Sequence, residues 1–378
     1  MLLATREIAR SKIRFALLSG AVGLLVFLIL FQQALLGGLV TSFVGGLENQ
    51  DSPVLVYNAQ ARRNIEGSVL LPDQVAAVAD VDGVETSAPM GQATYTVEAD
   101  GELVDASLFG TRLDADGLGM PTSLTEGRLP ESSNEAVASA ADAGAGFDVG
   151  DVVRIAGDGG PEIEIVGLGD DLRWSVAPTL FVDFATFEAA QIASNPAATQ
   201  VLPSLVVVRP AADVDPDELT DRIDEQVDGV EALTNAEAVS SAPGVSAVNQ
   251  SFRIILGLAF GVVTLVVAFF FLILTVQKAK PLTLLRAVGA PSGYLVRNLV
   301  GQVVAVMAVG VVIGIVLVLL TRRATTGGAI DVELVPSTVL PTIGALTALA
   351  LLGSGAAIRR VLRIDPLRAT TNTGTDLS

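Results

Sequence analysis

The sequence predicts an α-helical membrane protein with four transmembrane helices and a large extracytoplasmic α+β domain inserted between the first and second. Four uncharged apolar stretches, Phe15 to Leu47, Ile254 to Gln277, Asn298 to Thr321 and Leu334 to Ile358, each exceed the roughly 20 residues that a helix needs to cross a bilayer. The first two are separated by a long polar, acidic stretch, whereas the second and third are joined by a short basic connection. Basic residues crowd mainly one side of the spans, which sets the orientation.

The elements follow in order. Residues 1–14 carry Arg6, Arg10, Lys12 and Arg14 and are expected to form a cytoplasmic interfacial entry helix. The stretch 15–47 is too long for a signal-peptide core and reads as an uncleaved signal anchor. As a helix it would reach roughly 50 Å, more than the hydrocarbon thickness, so it should tilt or project as a stalk ending near Gly45-Gly46. After the domain at 48–250, the spans 251–277, 298–321 and 334–358 follow. The 278–297 connection carries Lys278, Lys280, Arg286 and Arg297, and the tail 359–378 carries Arg359, Arg360, Arg363 and Arg368. Both are expected to be cytoplasmic, leaving Arg322 and Arg323 in the external loop 322–333 beside Asp331 and Glu333. The result is a multi-pass protein of the cell membrane with both termini in the cytoplasm.

Composition excludes several functions. From Val44 to Ser251 there are 36 Asp and Glu against 8 Arg and no Lys, a formal charge of −28 in a chain whose total is −18. That field disfavours nucleic acid and anionic lipid surfaces as partners of this domain. With no cysteine and no histidine, disulfides, thiolate metal sites and Ser-His-Asp triads are ruled out. Asp213, Asp215, Asp217 and Asp224 resemble a calcium loop only superficially. Glu218 stands where such a loop needs glycine, and Asp224 where it needs a bidentate Glu. Asp215 as N-cap, Pro216 at N1 and Glu218 at N3 explain them as a helix start, so no metal site is expected. No span carries an ionisable residue in its interior, which argues against a proton or ion relay.

Within the external stretch, short alternating segments punctuated by Gly, Pro and Asp read as strands and turns. Pro53 to Tyr57 reads as a strand, Pro72 to Ala79 as a helix and Val84 onward as a strand. Ser204 to Val208, Asp215 to Val227 and Val230 to Leu233 repeat that order. Val-Asp-Gly-Val-Glu occurs at the helix-to-strand turn of both, at 81–85 and 227–231. Two β-α-β halves are therefore expected, around a β-rich insert at about 106–187 with strands at Val152 to Ile155, Glu162 to Val166 and Thr179 to Val182. Trp174 reads as a partly buried core aromatic before an exposed contact residue.

The order of motifs in this insert carries a resemblance. Glu126-Gly127-Arg128, Asn134-Glu135-Ala136-Val137, Gly150-Asp151-Val152-Val153 and Ile165-Val166-Gly167 resemble the external core domain of MacB-like ABC transporter permeases. Read locally, Gly127 and Gly150 suit tight turns, and the alternation after Asp151 suits a half-buried strand. In the 278–297 connection, Pro281 can open a short helix, Gly289 can cap it and Pro291 forbids continuation. Leu282, Leu285 and Val288 then share a face with Arg286 beside it. Read alone, this is equally an interfacial helix that anchors the loop. Leu285-Arg286-Ala287-Val288-Gly289-Ala290 resembles the signature of the FtsX-like permease domain shared with LolC and LolE, although Lys278 to Lys280 stand where relatives commonly have Glu. Arg363 to Ala369 resembles that family's Asp-Pro-Leu ending.

The resemblance implies a permease subunit whose coupling helix, including Leu282, Leu285, Arg286, Val288 and Gly289, docks on a separate cytoplasmic ABC ATPase. It implies a second permease copy or paralogue, a bilayer setting, and an extracytoplasmic cargo or adaptor. Substrates by analogy are a lipoprotein, peptide, lipid or amphiphilic compound, for export or extraction. The chain has no GxxxxGK[ST] sequence, so it is no P-loop enzyme itself, binds no cofactor, and leaves ATP and Mg to the partner. An FtsX-like regulator of an external hydrolase, or a non-transporting scaffold or sensor, are the alternative functions. Gly310-Val-Val-Ile-Gly314 in the third span is a GxxxG pattern, suited equally to packing within the bundle and to a dimer contact.

Overall fold

The computed structural model describes residues 12–157, 159–198, 200–277, 291–325 and 336–355. They fall into two compact units: Gly38–Asn249, and the helical segments that precede and follow it.

In the Gly38–Asn249 unit the two β-α-β halves interleave. Strand β1 (Val54–Asn58) leads through helix α2 (Pro72–Ala79) to β2 (Val84–Ala99), and β9 (Leu205–Pro210) leads through α4 (Pro216–Gln226) to β10 (Val230–Thr234). The sheet order is β10-β1-β9-β2, all neighbours antiparallel, so each half lays a strand between the two strands of the other. This is a split β-α-β pair. Helices α2 and α4 cover one face through Val78, Leu219 and Ile223, packed on Val54, Val56, Val206 and Val208. The other face packs Leu55, Tyr57 and Val207 against Val44 and Leu47, at the end of helix α1 (Lys12–Glu48), and Ala238 of α5 (Asn235–Ser241). Burial on both faces explains the unbroken apolar runs of β1 and β9, in which no polar residue alternates.

The repeated pentapeptide marks equivalent places. Gly83 and Gly229 have φ of 102° and 78°, the left-handed turn that glycine enters without a Cβ penalty. Their carbonyls accept from Ala211 and Ala59 respectively, each one residue beyond a strand of the other half. The side chains of Arg222 and Gln74 donate across the pseudo-dyad to the Asp82 and Asp228 carbonyls, both at 3.2 Å. Asp215 caps α4 by accepting from the Asp217 N–H at 2.9 Å, and Asp224 accepts from the Ala232 N–H at 2.7 Å. The aspartates at these two positions thus serve backbone groups.

The β-rich insert is a closed ring. Strands β3 (Glu102–Thr111), β8 (Thr179–Asp183), β5 (Glu135–Ser139), β7 (Glu162–Gly169) and β6 (Val152–Ile155) pair in that order from β2, and β6 pairs back onto β2 at Val97 and Glu98. Alternate side chains fill its interior: Tyr95 and Val97 from β2, Leu108 from β3, Ile163 and Ile165 from β7, with Phe187 from α3 (Phe184–Ser194). The short β4 (Glu126–Gly127) pairs onto β7 outside the ring. The ring therefore begins near Met90 of β2 and not at 106, because β2 changes partner there from β9 to β3. Pro89, which has no N–H for a second ladder, stands at that change.

In the helical unit, α1 buries Leu18, Val22, Val26, Ile29 and Leu30 at three- and four-residue spacing. They pack with Val263 and Val267 of α6 (Val245–Gln277), Val303 and Val306 of α7 (Ser292–Thr325) and Leu346 of α8 (Pro336–Gly353). Phe15–Glu48, Val248–Phe270 and Val300–Arg323 are each long and apolar enough to cross a membrane. The apolar part of α8, Val339–Gly353, is shorter, and the end of the expected fourth span lies outside the described residues.

Candidate functional site

The MacB-like motifs, scattered in sequence, converge at one end of β5, β7 and β4. Arg128, just after β4, grips Glu135 at the start of β5 through two parallel bonds of 2.8 and 2.7 Å. Glu135 also accepts from the backbone N–H of Glu131 at 2.8 Å. The guanidinium first, and these N–H groups second, pull the Glu135 carboxyl down to about 2. Asn134, at φ 66°, places its carbonyl on the Glu164 N–H and its own N–H on Thr186 Oγ1 at 2.7 Å. Gly127 pairs directly with Gly167, and a Cβ on Gly167 would overlap the Arg128 carbonyl oxygen. Gly150 and Asp151 close the turn into β6: the Gly150 N–H reaches the Ile165 carbonyl, and the Asp151 carboxylate accepts from the Asp148 N–H at 2.8 Å. The cluster ties β4, β5, β6 and β7 together.

In the helical unit, Gly310 and Gly314 face α1. A Cβ on Gly310 would lie 2.7 Å from Val22 Cγ1, and one on Gly314 would lie 2.7 Å from Val26 Cγ1 and 3.0 Å from the Phe27 backbone nitrogen. Reciprocally, a Cβ on Gly23 would meet Ile313 at 2.7 Å. The GxxxG pattern thus serves a close helix crossing inside the chain. Farther along α1, Gln33 and Thr342 of α8 exchange hydrogen bonds of 2.9 and 3.0 Å between their side chains. Residues Leu282, Leu285, Arg286, Val288 and Gly289 lie outside the described residues.

One ion pair escaped the sequence. Arg173 donates to Asp142 from Nη2 at 2.6 Å and from Nε at 3.1 Å, with side chains only 11% and 7% exposed. No local pattern announces a pair 31 residues apart, although an Arg amid apolar Leu172 and Trp174 is a hint. Trp174 itself is buried and packs edge-on against Phe109. Among the described residues, no group of His, Cys, Asp or Glu is placed to hold a metal ion.

Membrane-type helices, with an interleaved α+β layer and strand ring inserted after the first, define a class: the permease subunits of ABC transporters that carry a large external domain. A family model described as the MacB-like periplasmic core domain matches residues 15–226, and one described as the FtsX-like permease C-terminal matches residues 253–366. The chain belongs to this MacB- and FtsX-like permease family. A putative hemin transport system permease protein, HrtB, of Staphylococcus haemolyticus is 21% identical over 98% of this chain and 99% of its own length. An uncharacterized ABC transporter permease of Mycobacterium tuberculosis is 25% identical over 97% of this chain and 98% of its own. The crystal structure of the periplasmic region of MacB from Actinobacillus actinomycetemcomitans aligns at 13% identity with a TM-score of 0.36, over 54% of this chain and 94% of that one.

Proposed function

We propose that this permease subunit couples ATP hydrolysis by a separate cytoplasmic ATPase to movement of its external domain, extracting or exporting an amphiphilic substrate. The observation that carries this is the order of parts on one chain: a first membrane helix, an external core domain and an FtsX-like C-terminal region, with no GxxxxGK[ST] sequence among them. The reading has four spans with both termini in the cytoplasm, 278–297 as the coupling segment, and a second permease copy as partner. In α6, Ile254, Leu258, Leu265, Phe269 and Ile273 are at least half exposed, an apolar face suited to lipid or to that second copy. The HrtB relative is named for hemin transport, which makes hemin one amphiphile to test beside lipopeptides. When the chain is reconstituted in vesicles with its ATPase, one such compound should stimulate ATP hydrolysis and be moved. Hydrolysis that responds only to an external hydrolase, with no compound moved, would replace transport by regulation.

A further inference from the structure

Between β7 and β8, the turn Trp174-Ser175-Val176-Ala177 stands against local preference. Ser175 and Val176 have φ of 51° and 63°, and the Ala177 N–H donates to the Trp174 carbonyl at 3.0 Å. Positive φ at both central residues is the type I′ pattern, which favours Asn-Gly; here it is imposed on Ser and a β-branched Val. The Trp174 indole Nε1 is buried without a hydrogen-bond partner, although such groups ordinarily find one. What the turn grips is the end of α1. The Ser175 and Val176 N–H groups donate to the Phe43 and Ser42 carbonyls at 3.0 and 2.8 Å, and the Gly46 N–H donates to the Arg173 carbonyl at 2.9 Å. A Cβ on Gly45 would overlap the Asp171 carbonyl oxygen, so Gly45 is what admits the approach. Beside the turn lies a cavity of about 140 Å³ lined by Phe43, Trp174, Ser175 and Pro243, space into which the turn can shift. Arg173, held by Asp142, and Thr179, whose hydroxyl accepts from the Trp174 N–H at 2.8 Å, anchor its two ends.

We propose that the Trp174–Ala177 turn is a releasable latch on residues 42–46 of α1. In its second state Ser175 and Val176 relax to negative φ, the indole N–H reaches water, and the backbone bonds to α1 are given up while the two anchors hold. The frustration is gathered in one short segment whose hydrogen bonds to α1 run between backbone groups, so the bonds given up on release are few and local. All the residues concerned belong to the Gly38–Asn249 unit, and the latch stands independently of the transport reading.

Native-state hydrogen exchange on the full chain in detergent tests it. Peptides spanning 174–177 should exchange at least about tenfold faster than those of β9, which is buried in the sheet. Replacing Ser175-Val176 by Asn-Gly, the pair the turn geometry favours, should slow that exchange about tenfold and leave β9 unchanged. Val176→Gly alone should act in the same direction, and Gly45→Ala in the opposite one. If the turn exchanges no faster than β9, or if neither Asn-Gly nor Val176→Gly slows it, there is no latch.

Discussion

Single residues set the sharpest energetic contrasts. Asp142→Asn removes one charge of the nearly buried Arg173–Asp142 pair, and breaking such a pair from one side costs about 3 kcal/mol. Denaturant unfolding should show that loss for Asp142→Asn, and a loss under about 0.5 kcal/mol for Arg154→Gln, whose pair with Glu162 is 56% and 64% exposed. Glu135 predicts a pH dependence. Its folded value, about 2, lies below the unfolded 4.5, so its contribution is fully present above 4.5 and is lost as pH falls through about 2. The ion pair is partly exposed, and solvent screening keeps the effect small. Thermal midpoints between pH 5 and 2 should therefore fall less steeply in Glu135→Gln than in the unmodified chain, and parallel curves would show that the pair contributes nothing.

At the scale of elements, the glycine crossing of α7 on α1 is an exacting contact. Gly314→Leu must push α1 away or rotate α7, because its Cβ alone would crowd both Val26 and the Phe27 backbone. A loss of about 1–3 kcal/mol is expected, read as a lowered melting temperature in detergent. Gly301→Ala, where a Cβ meets nothing within 4 Å, should be neutral or slightly stabilising. Helices α2 and α4 were legible because Pro72-Asp73 and Asp215-Pro216 are local start signals, and the two Val-Asp-Gly-Val-Glu turns were legible as a repeat. The placing of β9 between β1 and β2, the ring closed by β6, and the seating of the 171–177 segment on α1 were not. They depend on pairings between residues far apart in sequence, which turn chemistry and periodicity do not encode. Arg128 and Glu135 were legible as family-motif residues, while their ion pair, which depends on how the chain folds between β4 and β5, was not.

For the whole molecule, we propose that the chain works as a permease through a partner ATPase docked at 278–297. In sequence, Leu285, Arg286 and Gly289 fall between the long apolar helices α6 and α7. The direct measurement is recovery of the ATPase, and its ATP hydrolysis, with purified full-length chain carrying Leu285→Asp, Arg286→Glu or Gly289→Val. The first places a charge in an apolar contact, the second reverses a polar one, and the third opposes the left-handed cap expected at Gly289. Each variant should insert normally in the membrane and lose ATPase recovery or substrate-dependent hydrolysis. Full recovery and full activity in all three would contradict the proposal and leave 278–297 as a lipid-facing anchor.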